Sequence, residues 1–161
     1  MTRVMVTMVV GAGLSVGAVA FASAQEAACQ PLYDAARKAQ TQAGVERTAV
    51  MGDPAQPSMT MTARKTSGGW FVRRDAGPWQ AMPIDPEVQE RNMLDKGMAF
   101  SKCAAGTTES VGGESARVWT YETAATPSTI WISVARGLPI KVQAQGVLQT
   151  SVYQATPFPK P

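Results

Sequence analysis

The second half of the chain alternates apolar and polar residues with the period of two that is typical of β-strands. The clearest example is a pair of alternating runs, residues 128–134 and 138–145, on either side of Arg136-Gly137. Residues 116–123 and 147–153 alternate in the same way. The pattern predicts four consecutive strands, and it assigns to one face of the central hairpin the residues Ile130, Ile132, Ile140 and Val142.

The first half predicts four further strands between two helices. Residues 45–50, 58–64, 70–74 and 79–82 have short extended patterns, and Met59 and Met61 share one face of the second run. Residues 30–40 have helical spacing with Pro31 in the first turn, and residues 85–96 begin with Asp85 as a good N-cap and Pro86 after it. Residues 98–103 are expected to be extended or irregular, and residues 104–113 to hold turns and a hairpin at Gly112-Gly113.

This order of elements predicts an α+β fold in which about eight antiparallel strands form a strongly curved sheet. A sheet of that size in so few residues curls, and the two helices would cover its concave face. The mature chain suits one domain, residues 25–155, followed by a proline-rich tail at 156–161 that is expected to be poorly ordered.

The N-terminus has the features of a secretory signal peptide. A positively charged start, Met1-Thr2-Arg3, precedes residues 4–21, which contain no charge, and Ala22-Ser23-Ala24 has the small-x-small pattern of a cleavage site. Residues 1–24 are therefore expected to direct export through the general secretory route to the periplasm, with cleavage after Ala24. The alternative is an uncleaved membrane anchor.

The two cysteines, Cys29 and Cys103, are expected to form a disulfide, because an exported protein matures under oxidising conditions. The chain has no histidine and no G-x-S-x-G motif, so no catalytic residue, metal site or cofactor is expected and the protein is not expected to be an enzyme. The net charge is only +3, and the basic residues are scattered in single positions or short doublets such as Arg64-Lys65 and Arg73-Arg74. The charge pattern therefore gives no reason to expect binding to nucleic acid.

The hairpin resembles one found in LolA/LolB-like periplasmic proteins. Its Trp131-Ile132-Ser133 segment followed by Gly137-Leu138-Pro139 and Lys141 is similar to their recurring pattern, and the order of elements is similar as well. The resemblance implies an unclosed half-barrel with helices as a lid over an apolar cavity, in proteins that bind acyl chains or carry lipoproteins. The chain is shorter than the dedicated carriers, and its cysteines are not part of their motif.

Methionine and tryptophan are adaptable or large apolar residues that suit such a cavity, although an ordinary core uses them too. The residues expected to contact a ligand are Met59, Met61, Trp70, Trp79, Met82, Met93, Leu94, Met98, Ile130, Ile132, Ile140 and Val142. The expected partner of this presumed monomer is an apolar small molecule or a lipidated protein, with transient contact to a membrane surface or envelope protein. The alternative is a protein-interaction module with a packed core and no ligand.

Overall fold

The computed structural model of this protein describes residues 17–161. Most of the predicted signal peptide lies outside these residues, so the leader and its cleavage after Ala24 stay predictions. The described part contains, in chain order, the elements α1 (Gly17–Gln40), β1 (Gly44–Asp53), β2 (Gln56–Thr66), β3 (Gly69–Arg74), β4 (Gln80–Ala81), α2 (Pro86–Asp95), β5 (Ser101–Val111), β6 (Glu114–Thr123), β7 (Thr126–Ser133), β8 (Pro139–Ala144) and β9 (Val147–Gln154).

The nine strands form one sheet in the order β4-β3-β2-β1-β9-β8-β7-β6-β5, and each neighbouring pair is antiparallel. Strands β1–β4 are joined to strands β5–β9 by the pairing of β1 with β9. This pairing runs along eight residues, from Gly44↔Gln154 to Met51↔Val147. The predicted fold class, an unclosed curved antiparallel sheet with an N-terminal and a mid-chain helix, is confirmed, with nine strands in place of about eight.

Helix α1 packs along the sheet through a narrow apolar stripe. Leu32, Ala35 and Ala39 recur at three- and four-residue spacing and are all buried, and Leu32 and Ala35 join a core cluster with residues of β6 and β7. The helix extends further towards the N-terminus than residues 30–40, so Pro31 lies inside it and not in its first turn. The small alanines let the helix approach the strands closely.

Helix α2 begins as the sequence predicts. The Asp85 side chain accepts a hydrogen bond of 2.9 Å from the backbone N–H of Glu87, and Pro86 occupies the first turn. The helix ends before Gly97, whose φ of +65° is in the left-handed region that favours glycine. Only Glu87 and Leu94 of this helix are buried, so most of its surface is in contact with solvent.

Strand β5 is longer than the sequence predicts. Residues 98–103 were expected to be extended or irregular and residues 104–113 to hold turns, because small and hydroxyl residues there give no apolar alternation, but Ser101–Val111 is a strand paired with β6. The ladder has register shifts between Ser101 and Ala104 and between Ala105 and Thr108. Backbone pairing to β6 holds this strand, and the predicted hairpin turn at Gly112-Gly113 is confirmed by their φ values of +59° and +83°.

The predicted disulfide joins Cys29 of α1 to Cys103 of β5. It ties the N-terminal helix to the edge strand that follows α2. The C-terminal segment also contacts the sheet, because the Phe158 backbone N–H donates to the Lys65 carbonyl oxygen at 3.3 Å and Phe158 bridges to Thr66. The proline-rich tail thus contacts the sheet at Phe158.

Candidate functional site

A cavity of about 220 Å³ lies between the helices and the sheet. Both helices, the segment that follows α2, and strands β1, β6, β7, β8 and β9 contribute to its walls. Its lining is mainly apolar and consists of Ala36, Ala39, Arg47, Glu90, Met93, Leu94, Ala99, Phe100, Tyr121, Thr123, Ile130, Pro139, Val142, Gln149, Ser151 and Tyr153.

Four of the predicted ligand-contacting residues line this cavity. Met93 and Leu94 come from α2, while Ile130 and Val142 are cross-strand partners on β7 and β8. Ile132 does not line the cavity but belongs to the same core cluster as Ile130. The sequence pattern therefore identified the central part of the wall.

Ile140 lies on the other face of the sheet, so its predicted position beside Ile130 and Val142 is wrong. It packs in a second cluster with Ala116 and Trp131. The cause is a register shift in the β7–β8 ladder, where Trp131 pairs with Lys141 but the next residue, Ile132, pairs with Pro139. The extra residue on β8 reverses the alternation at this point.

The other predicted residues lie away from the cavity. Met59 and Met61 are half-buried on β2, at the end near the β1–β2 turn, and Met82 is half-buried after β4. Met98 is 64% exposed. Trp70 is buried next to Arg47, whose guanidinium carbon lies 5.3 Å from the Trp70 ring centroid. Trp79 is stacked against arginines on the opposite face, described below.

The polar end of the cavity is an ion pair between Arg47 of β1 and Glu90 of α2. The contact is bidentate, with Arg47 Nη2 donating to Glu90 Oε2 at 3.1 Å and Nη1 donating to Oε1. Burial lowers the pKa of Arg47, but the hydrogen bond and charge of Glu90 outweigh this effect and hold the pKa above its ordinary value. Arg47 is thus a fixed cation at the cavity wall.

Aromatic side chains form the rest of the wall. Phe100 packs edge-to-face on Tyr121 with ring centroids 5.0 Å apart, and on Tyr33 of α1 at 5.1 Å. The Tyr153 hydroxyl donates to the Pro139 carbonyl oxygen at 2.7 Å. Burial raises the pKa of Tyr153 and of Tyr121, so both phenols stay neutral at physiological pH.

Helix α2 is held over the sheet mainly by charge. Besides Arg47–Glu90, Lys65 Nζ of β2 lies 2.8 Å from an oxygen of Glu87, a carboxylate that is only 4% exposed. Leu94, also 4% exposed, is the one apolar side chain of α2 that is fully buried in the described structure. The helix is therefore attached to the sheet by one apolar anchor and two ion pairs, and a third, exposed pair joins its Asp95 to Arg37 of α1 at 3.9 Å.

Sequence reasoning missed Arg47, Glu90, Phe100, Tyr121 and Tyr153. A signal for Arg47 existed, because it alternates in phase with Val45 and Ala49 and a charge in an apolar phase is unusual. Glu90 looked like part of the solvated face of α2. Its role depends on the pairing of α2 with β1, which the sequence alone does not specify.

The residues of the site offer an apolar wall, one ion pair and two neutral phenols. In the part of the chain that the structure describes, no group of three or more acidic or cysteine side chains is arranged to hold a metal ion. The described residues also contain no helix long and apolar enough to cross a membrane. The site therefore combines apolar surface with a fixed cation, Arg47, at one end.

Comparison with solved structures finds the same architecture elsewhere. The chain is similar to LprF from Mycobacterium bovis, with a TM-score of 0.56 and 10% identity over 84% of this chain and 96% of LprF. The predicted resemblance is confirmed at the level of the fold. The Mycobacterium tuberculosis lipoprotein LppX is similar too, with a TM-score of 0.50 and 10% identity over 84% of this chain and 97% of LppX. No family model matches the chain, and a search of curated proteins finds no match.

Proposed function

We propose that this protein is an exported, non-enzymatic binding protein that holds an apolar group in the cavity beneath α2. The group is an acyl chain, either of a free lipid or of a lipidated partner. The cavity of about 220 Å³, walled by Met93, Leu94, Phe100, Ile130 and Val142, is the observation that carries the proposal. LprF and the lipoprotein LppX share this fold.

The size of the cavity limits what it holds. Sites for drug-sized ligands measure about 300–1,000 Å³, so about 220 Å³ accommodates a single alkyl segment. A longer chain would need α2 to move away from the sheet. Such movement would have to break the partly buried ion pairs of α2 with Arg47 and Lys65 and withdraw Leu94, so it would carry a free-energy cost.

The position of Arg47 suggests how the ligand is oriented. Its guanidinium lies in the cavity wall and pairs with Glu90. A carboxylate or phosphate at the end of an acyl chain would compete with Glu90 for the same donors. The alkyl segment would then lie against Ile130 and Val142, with the charged end near the junction of β1 and α2.

Titration with a fluorescent fatty acid tests the proposal, with native mass spectrometry of the purified protein to detect bound lipid. Ala36→Phe places a ring in the cavity, whereas Ala55→Phe makes the same change at an exposed turn. Displacing two methylene groups costs about 1.6 kcal/mol, so the Kd of Ala36→Phe should rise about tenfold or more. The Ala55→Phe variant should bind as the unaltered protein does. If the unaltered protein takes up no fatty acid and carries no lipid, the proposal is wrong.

A second candidate, a protein-interaction module, is favoured by the outer edge of β5. This edge strand has no charged residue between Lys102 and Glu109, its residues there are mostly exposed, and no strand of the described chain pairs with its outer side. Natural edge strands usually carry charges that prevent pairing. Thr107→Lys would block strand addition by a partner and leave fatty-acid uptake unchanged, whereas Ala36→Phe would do the reverse.

A further inference from the structure

A surface of basic and aromatic side chains lies on the face of the sheet away from the cavity. Alternation assigns the faces, since Lys65 and Trp70 point towards α2 and Arg47 while their neighbours Arg64 and Phe71 point the other way. We call this surface the Trp79 patch. Its members are Arg64, Arg73, Trp79, Phe158 and Lys160, which lie around the buried side chain of Phe71.

The aromatic rings of the Trp79 patch hold its cations in place. The guanidinium carbons of Arg64 and Arg73 lie 4.7 Å and 4.8 Å from the Trp79 ring centroid. Arg64 is also 5.2 Å from the Phe158 ring, and Lys160 Nζ is 5.8 Å from the ring of Phe71. These distances are typical of cation–π contacts. The C-terminal tail therefore adds one ring and one charge to a surface formed by β2, β3 and the segment before β4.

The charges of the patch are not balanced within the described chain. Arg64 forms an ion pair with Glu46. Arg73 and Lys160 have no ion-pair partner among the described residues, and the Arg73 Nε is buried without a hydrogen-bond acceptor there. The patch therefore carries two positive charges that no carboxylate of the described residues neutralises.

We propose that the Trp79 patch docks on the surface of a membrane that contains anionic phospholipid. Arginine and lysine held beside tryptophan and phenylalanine form the combination that suits a membrane interface, where the rings sit at headgroup depth and the cations meet phosphate. A nucleic-acid strand fits less well, because proteins bind its phosphate backbone through a longer row of basic side chains.

The docking surface is independent of the cavity's occupant, because the two lie on opposite faces of the sheet. A protein that binds no fatty acid would still bind vesicles through Arg73 and Lys160. Conversely, loss of vesicle binding would leave fatty-acid uptake intact. The two proposals therefore fail separately.

Co-sedimentation with vesicles tests the docking, using equal parts phosphatidylglycerol and phosphatidylcholine, and phosphatidylcholine alone. The protein should bind the anionic vesicles and only weakly the neutral ones. The double variant Arg73→Gln/Lys160→Gln should lose about 25-fold in partition coefficient, about fivefold for each charge. The matched control Lys38→Gln/Arg117→Gln removes two exposed cations, one on α1 and one on β6. Its partition coefficient should stay within about twofold of that of the unaltered protein.

Lys160→Gln alone, at the end of the tail, leaves the contacts of Arg73 with the sheet in place. Its partition coefficient for anionic vesicles should fall about fivefold. Equal losses in the two double variants would overturn the proposal, since attraction would then depend on net charge alone. Absence of binding to anionic vesicles would overturn it as well. So would tighter binding of a single-stranded oligonucleotide or of soluble glycerophosphate than of vesicles, with the same dependence on Arg73 and Lys160.

Discussion

Arg47 on β1 and Glu90 on α2 form a two-point ion pair that joins the sheet to the helix covering the cavity. The Arg47 side chain is 16% exposed and that of Glu90 is 40% exposed. Loss of the partner therefore costs more at Arg47 than at Glu90, because water can solvate the carboxylate more easily than the guanidinium. This asymmetry decides how the single variants behave.

Replacing Glu90 should destabilise the protein and loosen α2. In Glu90→Gln the buried guanidinium keeps only a weaker neutral acceptor, which should cost about 1–2 kcal/mol of unfolding free energy. Arg47→Met/Glu90→Met should cost less than the sum of the single variants, since no charge is left unpaired. Urea unfolding of the unaltered protein, Arg47→Met, Glu90→Met and the double Met variant measures the coupling, and strictly additive changes would show that the pair does not act as a unit.

Breaking the disulfide between Cys29 and Cys103 should lower stability strongly. The bond joins residues 74 positions apart, so by chain entropy its loss costs about 4 kcal/mol. The melting temperature should fall by on the order of 10 °C. Thermal unfolding with and without reductant, with the Cys29→Ser/Cys103→Ser variant as a second route, measures the effect. An unchanged midpoint would argue against a stabilising bond.

Glu114, the first residue of β6, should contribute a pH-dependent part of the free energy of unfolding. Hydrogen bonds from Arg136 and Ser133 hold the pKa of Glu114 below its ordinary value. A carboxylate with a depressed pKa stabilises the fold fully above its unfolded pKa of about 4.3, and this contribution is lost as the pH falls through the folded pKa.

The free energy of unfolding of the unaltered protein should therefore exceed that of Glu114→Gln by about 1–2 kcal/mol at pH 7. The difference should shrink as the pH falls below about 4, because both proteins then carry a neutral side chain at this position. Urea unfolding of the two proteins across this range gives the comparison. A difference that stays constant with pH would mean that the ionised carboxylate is not the source.

The turn before β8 should need glycine at position 137. Gly137 has a φ of +62°, which side chains with a Cβ rarely adopt. Gly137→Ala should therefore cost about 1 kcal/mol of unfolding free energy. Gly68→Ala is the matched control, since Gly68 has no positive φ and a Cβ there meets only Thr66 Oγ1 at 3.7 Å. The account of this turn fails if both variants unfold alike.

The sequence predicts those elements whose local signals agree with their packing. The cap at Asp85 and the alternation through Ile130 and Ile132 correctly gave α2 and β7. Strand β5 escaped prediction because its small polar residues carry no apolar pattern, and pairing with β6 alone makes it a strand. The face of Ile140 was wrong because one inserted residue in β8 reverses the alternation, and periodicity shows no sign of it.

The candidate site was predictable only on its apolar wall. Ile130 and Val142 follow from strand alternation, but Arg47 and Glu90 come from elements far apart in the chain that meet only when α2 settles on β1. Trp79 looked like a cavity residue because tryptophan is apolar. Its position between two arginines depends on how the segment before β4 folds back over the sheet.

Binding of a spin-labelled fatty acid, followed through the isoleucine methyl signals, tests the central claim most directly. The chain has four isoleucines. Ile130 lines the cavity, Ile132 packs beside it in the same cluster, Ile140 lies on the opposite face and Ile84 is exposed. We expect the spin label to broaden the Ile130 methyl signal most, with weaker broadening of Ile140 and Ile84. Broadening of Ile140 or Ile84 in preference to Ile130, or of no signal at all, would contradict an acyl-binding cavity beneath α2.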